Sequence, residues 1–312
     1  MTEFDVVVVG GGPAGLSAAL NLVRARATVL LVDAGRPRNA ATLRSHGYLT
    51  RDGVSPAELR SLGRAELAAY PDAQLLDRVN VTRIARLDDG FLVETVGRTS
   101  ASRRSVRADT VLLATGLRET LPDLPSLRSY YGMSVFSCVA CDAWDLRDAP
   151  LALIGQTHDL HERAVHLARW SDNLTVFTNG SPVLGDWQAA DLVGRGIRVE
   201  SAAIDDLVGH RGSVSGVRLA DGRTIPITGG FVRPLWQPIL DPLDGIELEL
   251  HPDGFVNADA DGRTGIPGLF VAGDIASPGP QQLIIAAGAG ARTAAAIVRA
   301  HATTNRPVPT SN

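Results

Sequence analysis

The chain alternates between short apolar runs and longer stretches in which apolar residues recur at helical spacing. An apolar, β-branched run over Phe4–Val9 predicts a buried parallel strand, and an Ala- and Leu-rich stretch over Leu16–Ala27 predicts a helix. A second strand is predicted over Thr28–Val32. Strands that alternate with helices favour the α/β class with a parallel sheet.

The same reasoning predicts the remaining elements. In the first half we expect a helix over Pro56–Ala69, a β-meander over Val79–Ala108 with turns at residues 88–90 and 98–104, and a strand over Thr110–Ala114. A second α/β unit follows, with strands at Leu151–Ile154 and Leu174–Phe177, helices at Asp159–Trp170 and Asp186–Gly194, short strands within Ile197–Leu219, and a hairpin turn at Asp221-Gly222. We then expect a linker at Gly229-Gly230 and Pro234–Pro242, a strand ending at Gly273-Asp274, a helix over Ile284–Ala300 and a frayed tail at residues 303–312.

Length and charge narrow the function classes. At 312 residues the chain is long enough for about two domains. The formal net charge is −4 with no basic stripe, which argues against nucleic-acid binding, and no lysine is present, which excludes Schiff-base and P-loop chemistry. No apolar run approaches the ~20 residues of a membrane span, and the start lacks the basic, apolar pattern of a secretion signal. We therefore expect a cytoplasmic protein with no membrane partner.

A glycine-rich turn follows the first predicted strand. Gly10, Gly12 and Gly15 form a G-x-G-x-x-G pattern that opens the first helix, and Asp33 ends the second strand, 18 residues after Gly15. In such a unit the glycines permit a tight turn and close approach of a pyrophosphate, and the acid can bind a ribose hydroxyl. The pattern predicts a dinucleotide site.

The chain has two cysteines, Cys138 and Cys141, three positions apart. Such a pair in a chain without a secretion signal is typical of redox chemistry or metal binding, and a Cys-x-x-Cys thiol has a lowered pKa. His158 and His161 follow at a spacing that only weakly matches a zinc site, so we expect no metal.

Together the early glycine turn, Ala114-Thr115-Gly116, the Cys pair and the late Gly273-Asp274 resemble the low-molecular-weight thioredoxin reductases over essentially the whole chain. The resemblance implies two Rossmann-like domains: an FAD domain of residues 1–116 plus 236–312, and an inserted nicotinamide-like domain of residues 117–235 that carries the Cys pair. It also implies FAD as cofactor and a homodimer. The residues implied to contact FAD are Gly10, Gly12, Pro13, Ala14, Gly15, Asp33, Asn39, His46, Ala114, Thr115, Gly116, Gly273, Asp274, Gln281, Gln282 and Leu283.

The second nucleotide motif departs from the family pattern. After the strand ending at Ile154, Thr157 stands where a glycine would admit the pyrophosphate, and Leu160 stands where a small residue would allow close helix packing. Asp159 and Glu162 bring negative charge to the place of the phosphate. Thr178-Asn179-Gly180 replaces the arginine that an NADP-dependent relative carries. We expect that the inserted domain has lost nicotinamide binding.

A flavoprotein that keeps the Cys pair without nicotinamide resembles the flavin-dependent dithiol oxidases of disulfide natural products, of the gliotoxin and holomycin type, and most of all the bacterial holomycin-type members. The resemblance implies antibiotic biosynthesis, with a small dithiol and O2 as substrates and H2O2 as product. Cys138 would be the exchanging sulfur and Cys141 the sulfur facing the flavin. Two alternatives stay open: a disulfide reductase fed by NADPH or another donor, and a flavin-binding sensor with a vestigial Cys pair.

The acid–base residue also stays open. Asp142 directly follows Cys141, although many relatives carry His-Gly at that point, and Asp142 could equally be a turn residue. His46 is the rival base, and it could instead bind the flavin or the backbone. Trp144, Trp236 and Tyr130-Tyr131 are candidates for an apolar substrate wall, with core packing as the more ordinary explanation.

Overall fold

The computed structural model describes residues 2–99 and 102–303. The strands are β1 Thr2–Val9, β2 Val29–Asp33, β3 Ala73–Asp77, β4 Asn80–Leu87, β5 Gly90–Val96, β6 Arg103–Leu113, β7 Leu117–Thr120, β8 Val135–Phe136, β9 Leu151–Ile154, β10 Leu174–Phe177, β11 Arg198–Glu200, β12 Ile204–His210, β13 Ser213–Leu219, β14 Thr224–Pro226, β15 Gly229–Val232, β16 Leu235–Pro238, β17 Leu243–Asp244 and β18 Leu269–Val271. The α-helices are α1 Pro13–Arg24, α2 Pro56–Ala68, α3 Val139–Asp142, α4 Leu160–Leu167, α5 Asp186–Gly194 and α6 Leu283–Thr303.

The chain divides into two compact units. The first comprises residues 1–40, 47–118 and 236–312, and the second comprises residues 41–46 and 119–235. Residues 41–46, which we expected in the first unit, group with the second. The predicted tail lies outside the described residues except for Thr303, and the predicted turn at residues 98–104 is only partly described.

The first unit is built on an eight-stranded mixed sheet in the order β17-β4-β5-β6-β1-β2-β3, with β18 also paired to β6. The β18, β6, β1, β2 and β3 strands are parallel, whereas β4, β5 and β6 form an antiparallel meander. The meander and the strand predicted at residues 110–114 are joined, because β6 pairs with both β5 and β1 along one continuous strand. Apolar clusters cover both faces of the sheet, which explains the nearly uninterrupted apolar runs of β1 and β2.

The helix α1 begins and ends three residues earlier than the pattern predicted. Gly12 is its N-cap and Pro13 its first residue, a position that proline favours because its missing N–H has no partner there anyway. The helix ends before Arg26, whose φ of 68° is incompatible with a continued helix. The start of α1 therefore falls directly on the glycine-rich turn.

Among the described helices, the 21-residue α6 is long and apolar enough, by length and composition alone, to cross a membrane. The sequence analysis predicted no segment of this kind. Its buried face includes Ala286, Ala294 and Ile297, which belong to the same apolar cluster as residues of α1. The apolarity of α6 is thus accounted for by packing in the core of the first unit.

The second unit has a five-stranded parallel sheet in the order β11-β10-β9-β15-β8 and a separate three-stranded antiparallel sheet, β12-β13-β14. The bounds of β9, β10 and α5 coincide with the prediction. The predicted linker at Gly229-Gly230 is wrong, because these residues lie in the buried strand β15. A Cβ on Gly229 would lie 2.9 Å from the Leu146 side chain, and one on Gly230 would lie 3.0 Å from the Ala152 carbonyl oxygen, so the strand needs glycine for close packing.

Candidate active site

The glycine-rich turn of the first unit has the backbone of an anion site. Gly12 caps α1 without any side-chain bond to the free helix amides, and a Cβ added to Gly12 would meet open space. A Cβ on Gly10 would instead lie 2.3 Å from the Ala114 carbonyl oxygen, and one on Gly15 would lie 1.9 Å from the Gly10 carbonyl oxygen. The turn is therefore tightly packed at Gly10 and Gly15 but open at Gly12, which fits the pyrophosphate of a dinucleotide such as FAD.

The late motifs pack on the same turn. A Cβ on Gly273 would lie 2.8 Å from the Ala14 Cβ, and one on Gly290 of α6 would lie 2.0 Å from the Ala14 carbonyl oxygen. Ala14 at the start of α1 therefore contacts both the Gly273-Asp274 motif and α6. Motifs separated by more than 250 residues in sequence come together in one unit.

Two carboxylates expected to bind FAD already have partners. Asp33 ends β2, accepts a hydrogen bond from the Gly35 amide at 2.9 Å, and forms an ion pair with Arg64. Asp274 forms a 2.8 Å ion pair with Arg38, whose guanidinium lies 5.6 Å from the centre of the Trp236 ring. Asn39 follows in the same 3-10 turn.

The other predicted FAD contacts occupy short connecting segments of the first unit. The Thr115 hydroxyl donates to the Ile239 carbonyl oxygen at 2.9 Å, and the Gln281 amide donates to the Ser277 carbonyl oxygen at 3.2 Å. Gln282 accepts at its carbonyl oxygen from the Ala286 amide, within the first turn of α6, and Leu283 begins that helix. His46 lies apart from these residues in the grouping of the chain, because it belongs to the second unit.

The two cysteines form a disulfide at the start of α3, a helix that the pattern did not predict. Cys138 is the N-cap of α3, and its sulfur accepts a hydrogen bond from the Cys141 amide at 3.2 Å. Both cysteines are partly exposed. An amide aimed at the Cys138 sulfur favours a thiolate there once the disulfide opens.

The segment before Cys138 is held by a partly buried hydrogen-bond network. The Arg163 guanidinium of α4 donates to the Ser137 carbonyl oxygen at 3.2 Å, and the Tyr131 hydroxyl lies 2.9 Å from both the Ser137 hydroxyl and a Glu119 carboxylate oxygen. Burial lowers the pKa of Arg163, and the positive charge of Arg233 lowers it further. Tyr131 is thus a packing and hydrogen-bonding residue behind the Cys pair, and its neighbour Tyr130 is buried in the core.

Asp142 at the end of α3 is only 8% exposed. Burial raises the pKa of its carboxyl to about 7, the charge of His46 opposes this rise, and the charge of Asp145 adds to it. The His46 Nε2 atom lies 3.4 Å from an Asp145 carboxylate oxygen. A carboxyl group that titrates near neutral pH beside a disulfide is suited to accept and return a thiol proton.

The departures from the nicotinamide motif form their own contacts at the start of α4. Asp159 forms a 3.1 Å ion pair with Arg233 of the chain after β15, and the Thr157 hydroxyl donates to the other Asp159 carboxylate oxygen. A Cβ on Gly155 would lie 2.9 Å from the Leu160 side chain. After β10, the Asn179 side chain accepts from the Ile204 amide at 2.7 Å. The residues that depart from the nicotinamide motif are thus bonded to one another and to other residues of the second unit.

Among the described residues, no group of three or more His, Cys, Asp or Glu side chains could hold a metal ion. His161, one of the two histidines weighed for zinc, lies 2.8 Å from an Asp191 carboxylate oxygen and packs on the Trp187 ring. Trp144, a candidate for the substrate wall, is 66% exposed in the second unit, with the Arg147 guanidinium 4.5 Å from its ring centre.

The sequence model of one family, described as pyridine nucleotide-disulphide oxidoreductase, matches residues 4–290. The chain belongs to this family. Its cofactor is FAD, the enzyme is an oxidoreductase, and the predicted α/β class with two Rossmann-like units is confirmed.

Three similar proteins illustrate the relationship. The thioredoxin reductase aclD of Aspergillus oryzae is 32% identical over 286 residues, which is 87% of this chain and 88% of that protein. The solved structure of HlmI is 33% identical with a TM-score of 0.85, and the match covers 98% of this chain and 99% of HlmI. A protein of Arthroderma benhamiae is 34% identical over 183 residues, and this match covers 57% of the chain and 44% of that longer protein.

Several residues of this oxidoreductase's candidate site escaped the sequence reasoning. Arg64 and Arg38 pair with the predicted carboxylates, and Asp145 contacts His46. A lone arginine or aspartate in a charge-rich stretch carries no signal of its partner. One weak signal existed for Asp145, since it lies three residues after Asp142 and therefore close to it in any helical turn.

Proposed function

We propose that this flavoprotein oxidises a small-molecule dithiol to a cyclic disulfide through Cys138 and Cys141, with dioxygen as the final electron acceptor and hydrogen peroxide as product. One observation carries the proposal. The second unit has a disulfide whose Cys141 is followed by a carboxyl of pKa about 7, and its degenerate nicotinamide motif carries the ion pair of Asp159 and Arg233.

Charge repulsion and steric hindrance both oppose nicotinamide binding at the start of α4. A pyrophosphate at the start of α4 would meet the Asp159 carboxylate, where like charges repel, and the Thr157 side chain instead of a glycine. Displacing Asp159 would also leave Arg233 without this partner. In the proposed reaction the electrons therefore come from a dithiol.

The dithiol chemistry uses this chain's own residues. A substrate thiol gives its proton to Asp142, and the thiolate attacks the Cys138 sulfur, so that a mixed disulfide forms and Cys141 leaves as a thiolate. The second substrate thiol gives its proton to the Cys141 thiolate and attacks the substrate sulfur of the mixed disulfide, and Cys138 leaves as the thiolate that the Cys141 amide stabilises. The substrate has lost two electrons and two protons, and the Cys pair has gained the electrons.

The residues proposed to hold FAD are those of the glycine turn, the Ala114-Thr115-Gly116 segment, the Gly273-Asp274 motif and the start of α6. When bound, FAD supplies a two-electron acceptor that dioxygen can reoxidise. A homodimer, a cytoplasmic location, a role in antibiotic biosynthesis and the absence of nucleic-acid and membrane partners belong to the same proposal.

The test separates the two electron sources. Purified holoprotein is mixed without oxygen, first with NADPH and then, in a separate sample, with dithiothreitol, while the visible flavin absorption is followed. We expect the absorption to persist with NADPH, to bleach with the dithiol and to return in air with one equivalent of peroxide. Prompt bleaching by NADPH would overturn the proposal.

The second candidate is a disulfide reductase that takes electrons from NADPH or another donor. The family description, which names pyridine nucleotide, favours it. The same experiment decides between them, because a reductase bleaches with its donor and is reoxidised by a disulfide faster than by air. A flavin-binding sensor would give neither rapid bleaching nor turnover.

A further inference from the structure

The loop that carries His46 is tied to the turn that precedes the Cys pair. Gly132 approaches the Ala41 backbone so closely that a Cβ on Gly132 would lie 2.2 Å from the Ala41 carbonyl oxygen. Gly132 also has a φ of 81°, which favours glycine. Residues 41–46 are therefore held against the second unit by a contact that only glycine permits, although their neighbours in sequence belong to the first unit.

His46 is the last residue of the segment 41–46. Its side chain is 20% exposed, and its Nε2 atom lies 3.4 Å from the Asp145 carboxylate oxygen, whose side chain is 51% exposed. The Asp145 carboxylate is therefore placed to orient the His46 ring. In the sequence, Asp142 lies between Cys141 and Asp145. The charges of His46 and Asp145 act on its carboxyl in opposite directions, because His46 lowers the pKa of Asp142 and Asp145 raises it.

We propose that His46, oriented by Asp145, is a positioning residue that favours the ionised form of Asp142 and so controls the pH range in which the substrate thiol can give its proton to Asp142. This inference rests on the proposed dithiol exchange. The thiol proton moves to the Asp142 carboxylate as the thiolate attacks Cys138, and the Cys138–Cys141 bond breaks with both of its electrons leaving on Cys141. His46 stabilises the ionised Asp142 that must be present before the proton arrives.

This arrangement assigns different roles to the two rival bases. Asp142 directly follows Cys141 and accepts the proton, and His46 acts through Asp142 rather than on the substrate. The Cys pair does not titrate while it is oxidised, and the other charged groups that act on Asp142 among the described residues are His46 and Asp145.

The test follows opening of the disulfide without using the flavin signal. Oxidised holoenzyme is mixed anaerobically with dithiothreitol between pH 5.5 and 9, quenched with acid, alkylated and counted for new thiols by mass. We expect a step in the wild-type rate near pH 7, and no such step in D142N. In H46Q the step should move upward by about one pH unit, because a positive charge that favoured ionised Asp142 is gone.

Two further variants separate charge from structure. H46R keeps the positive charge and should return the step to the wild-type position or below it. Adding D145N to H46Q should move the step down again by a smaller amount, since only the repulsion by the half-exposed carboxylate is then removed. A purely structural role of His46 would not give opposite shifts. H210Q, at an exposed histidine of β12, is the matched control and should leave the step in place.

The outcomes are distinct. If the wild-type disulfide does not open with a dithiol, the proposed function fails and this inference fails with it. If it opens but H46Q keeps the wild-type step, only the role of His46 is overturned. Should H46Q lose its fold, as judged by circular dichroism, H46R and the infrared titration of the Asp142 carboxyl carry the test, and an H46R step shifted upward would contradict the inference.

Discussion

At the residue scale, the buried carboxyl of Asp142 links the chemistry of the Cys pair to the stability of the second unit. Burial raises its pKa from 3.8 to about 7, so the folded protein must pay to ionise it at neutral pH. A carboxyl with such a pKa next to a disulfide suits the proton transfer that we propose. Local stability and exchange rate should therefore depend on pH in opposite directions.

The stability effect gives a prediction for Asp142→Asn. Because the folded pKa lies above the unfolded one, the stability of the wild type is greatest below pH 4 and falls as the pH rises to about 7. The amide does not titrate, so the variant should gain about 3 kcal/mol on the wild type between pH 5 and pH 8. Urea unfolding at both pH values measures it. D145N, at a half-exposed carboxylate, should show no comparable gain, and a constant difference between D142N and the wild type would contradict the burial of the charge.

The two cysteines carry a second prediction at this scale. Cys138→Ser and Cys141→Ser should each abolish dithiol turnover, because each removes one atom of the only disulfide in the chain. Both variants should keep the yellow flavin spectrum, since the candidate FAD motifs lie in the other unit. Oxygen consumption with a dithiol and the bound-flavin spectrum are the measurements. Normal turnover by either variant would exclude the disulfide relay.

At the element scale, the contact of α1 with α6 depends on small residues. Gly290 leaves room for the Ala14 backbone, and Gly273 leaves room for the Ala14 methyl group. The start of α1, at the glycine-rich turn, therefore packs against α6, which lies more than 250 residues further along the chain. The same device appears in β15, where two glycines let a central strand pack under Leu146 and beside Ala152.

Two glycines of α6 form a matched pair for testing this contact. Gly290→Ala places a Cβ 2.0 Å from the Ala14 carbonyl oxygen, so the helices must separate, and we expect a loss of at least about 1–3 kcal/mol together with weaker FAD binding. Gly288→Ala, two positions earlier, meets no atom within 4 Å and should stabilise the helix by about 1 kcal/mol. Chemical unfolding and flavin titration compare them. Equal effects of the two substitutions would refute the close contact.

At the scale of the whole molecule, each unit has apolar clusters of its own on the two faces of its sheet. The candidate FAD motifs lie in the first unit, and the Cys pair lies in the second. The proposed FAD binding and the proposed disulfide exchange therefore depend on separate apolar cores. A ligand that binds only the folded state stabilises the core that holds it.

Removal of FAD should therefore affect the units unequally. At a free FAD concentration of 100 times the dissociation constant, binding stabilises the first unit by about 2.7 kcal/mol, and this stabilisation is lost in the apoprotein. We expect calorimetry of the apoprotein to show a lowered transition for the first unit, while thiol counting shows that dithiothreitol still opens the Cys pair. Loss of that exchange on removal of FAD would show that the second unit depends on the first for its structure.

Elements that depend on local sequence patterns were predicted, whereas features that depend on contacts between distant residues were not. The bounds of β9, β10 and α5 were predicted because uninterrupted apolar runs and turn residues are local signals. The edge strand β3, over Ala73–Asp77, was missed because its short sequence mixes polar and apolar residues and lacks an uninterrupted apolar run. The helix α3 was missed because four residues are too few to show a helical period. Gly229-Gly230 was interpreted as a linker since glycine is typical of turns, and only its packed neighbours explain its place in a strand.

The α/β class, the family, the FAD cofactor and the candidate Cys pair follow from the amino-acid sequence, because each is indicated by short motifs of residues that are adjacent along the chain. The grouping of His46 with Asp145 and Asp142, the pairing of Asp159 with Arg233, and the packing of Gly273 and Gly290 against the glycine turn are visible only in the folded chain. These features are contacts between distant residues, and their energies depend on burial and on the geometry of approach. Neither quantity exists in a linear pattern until the sheets and helices have packed.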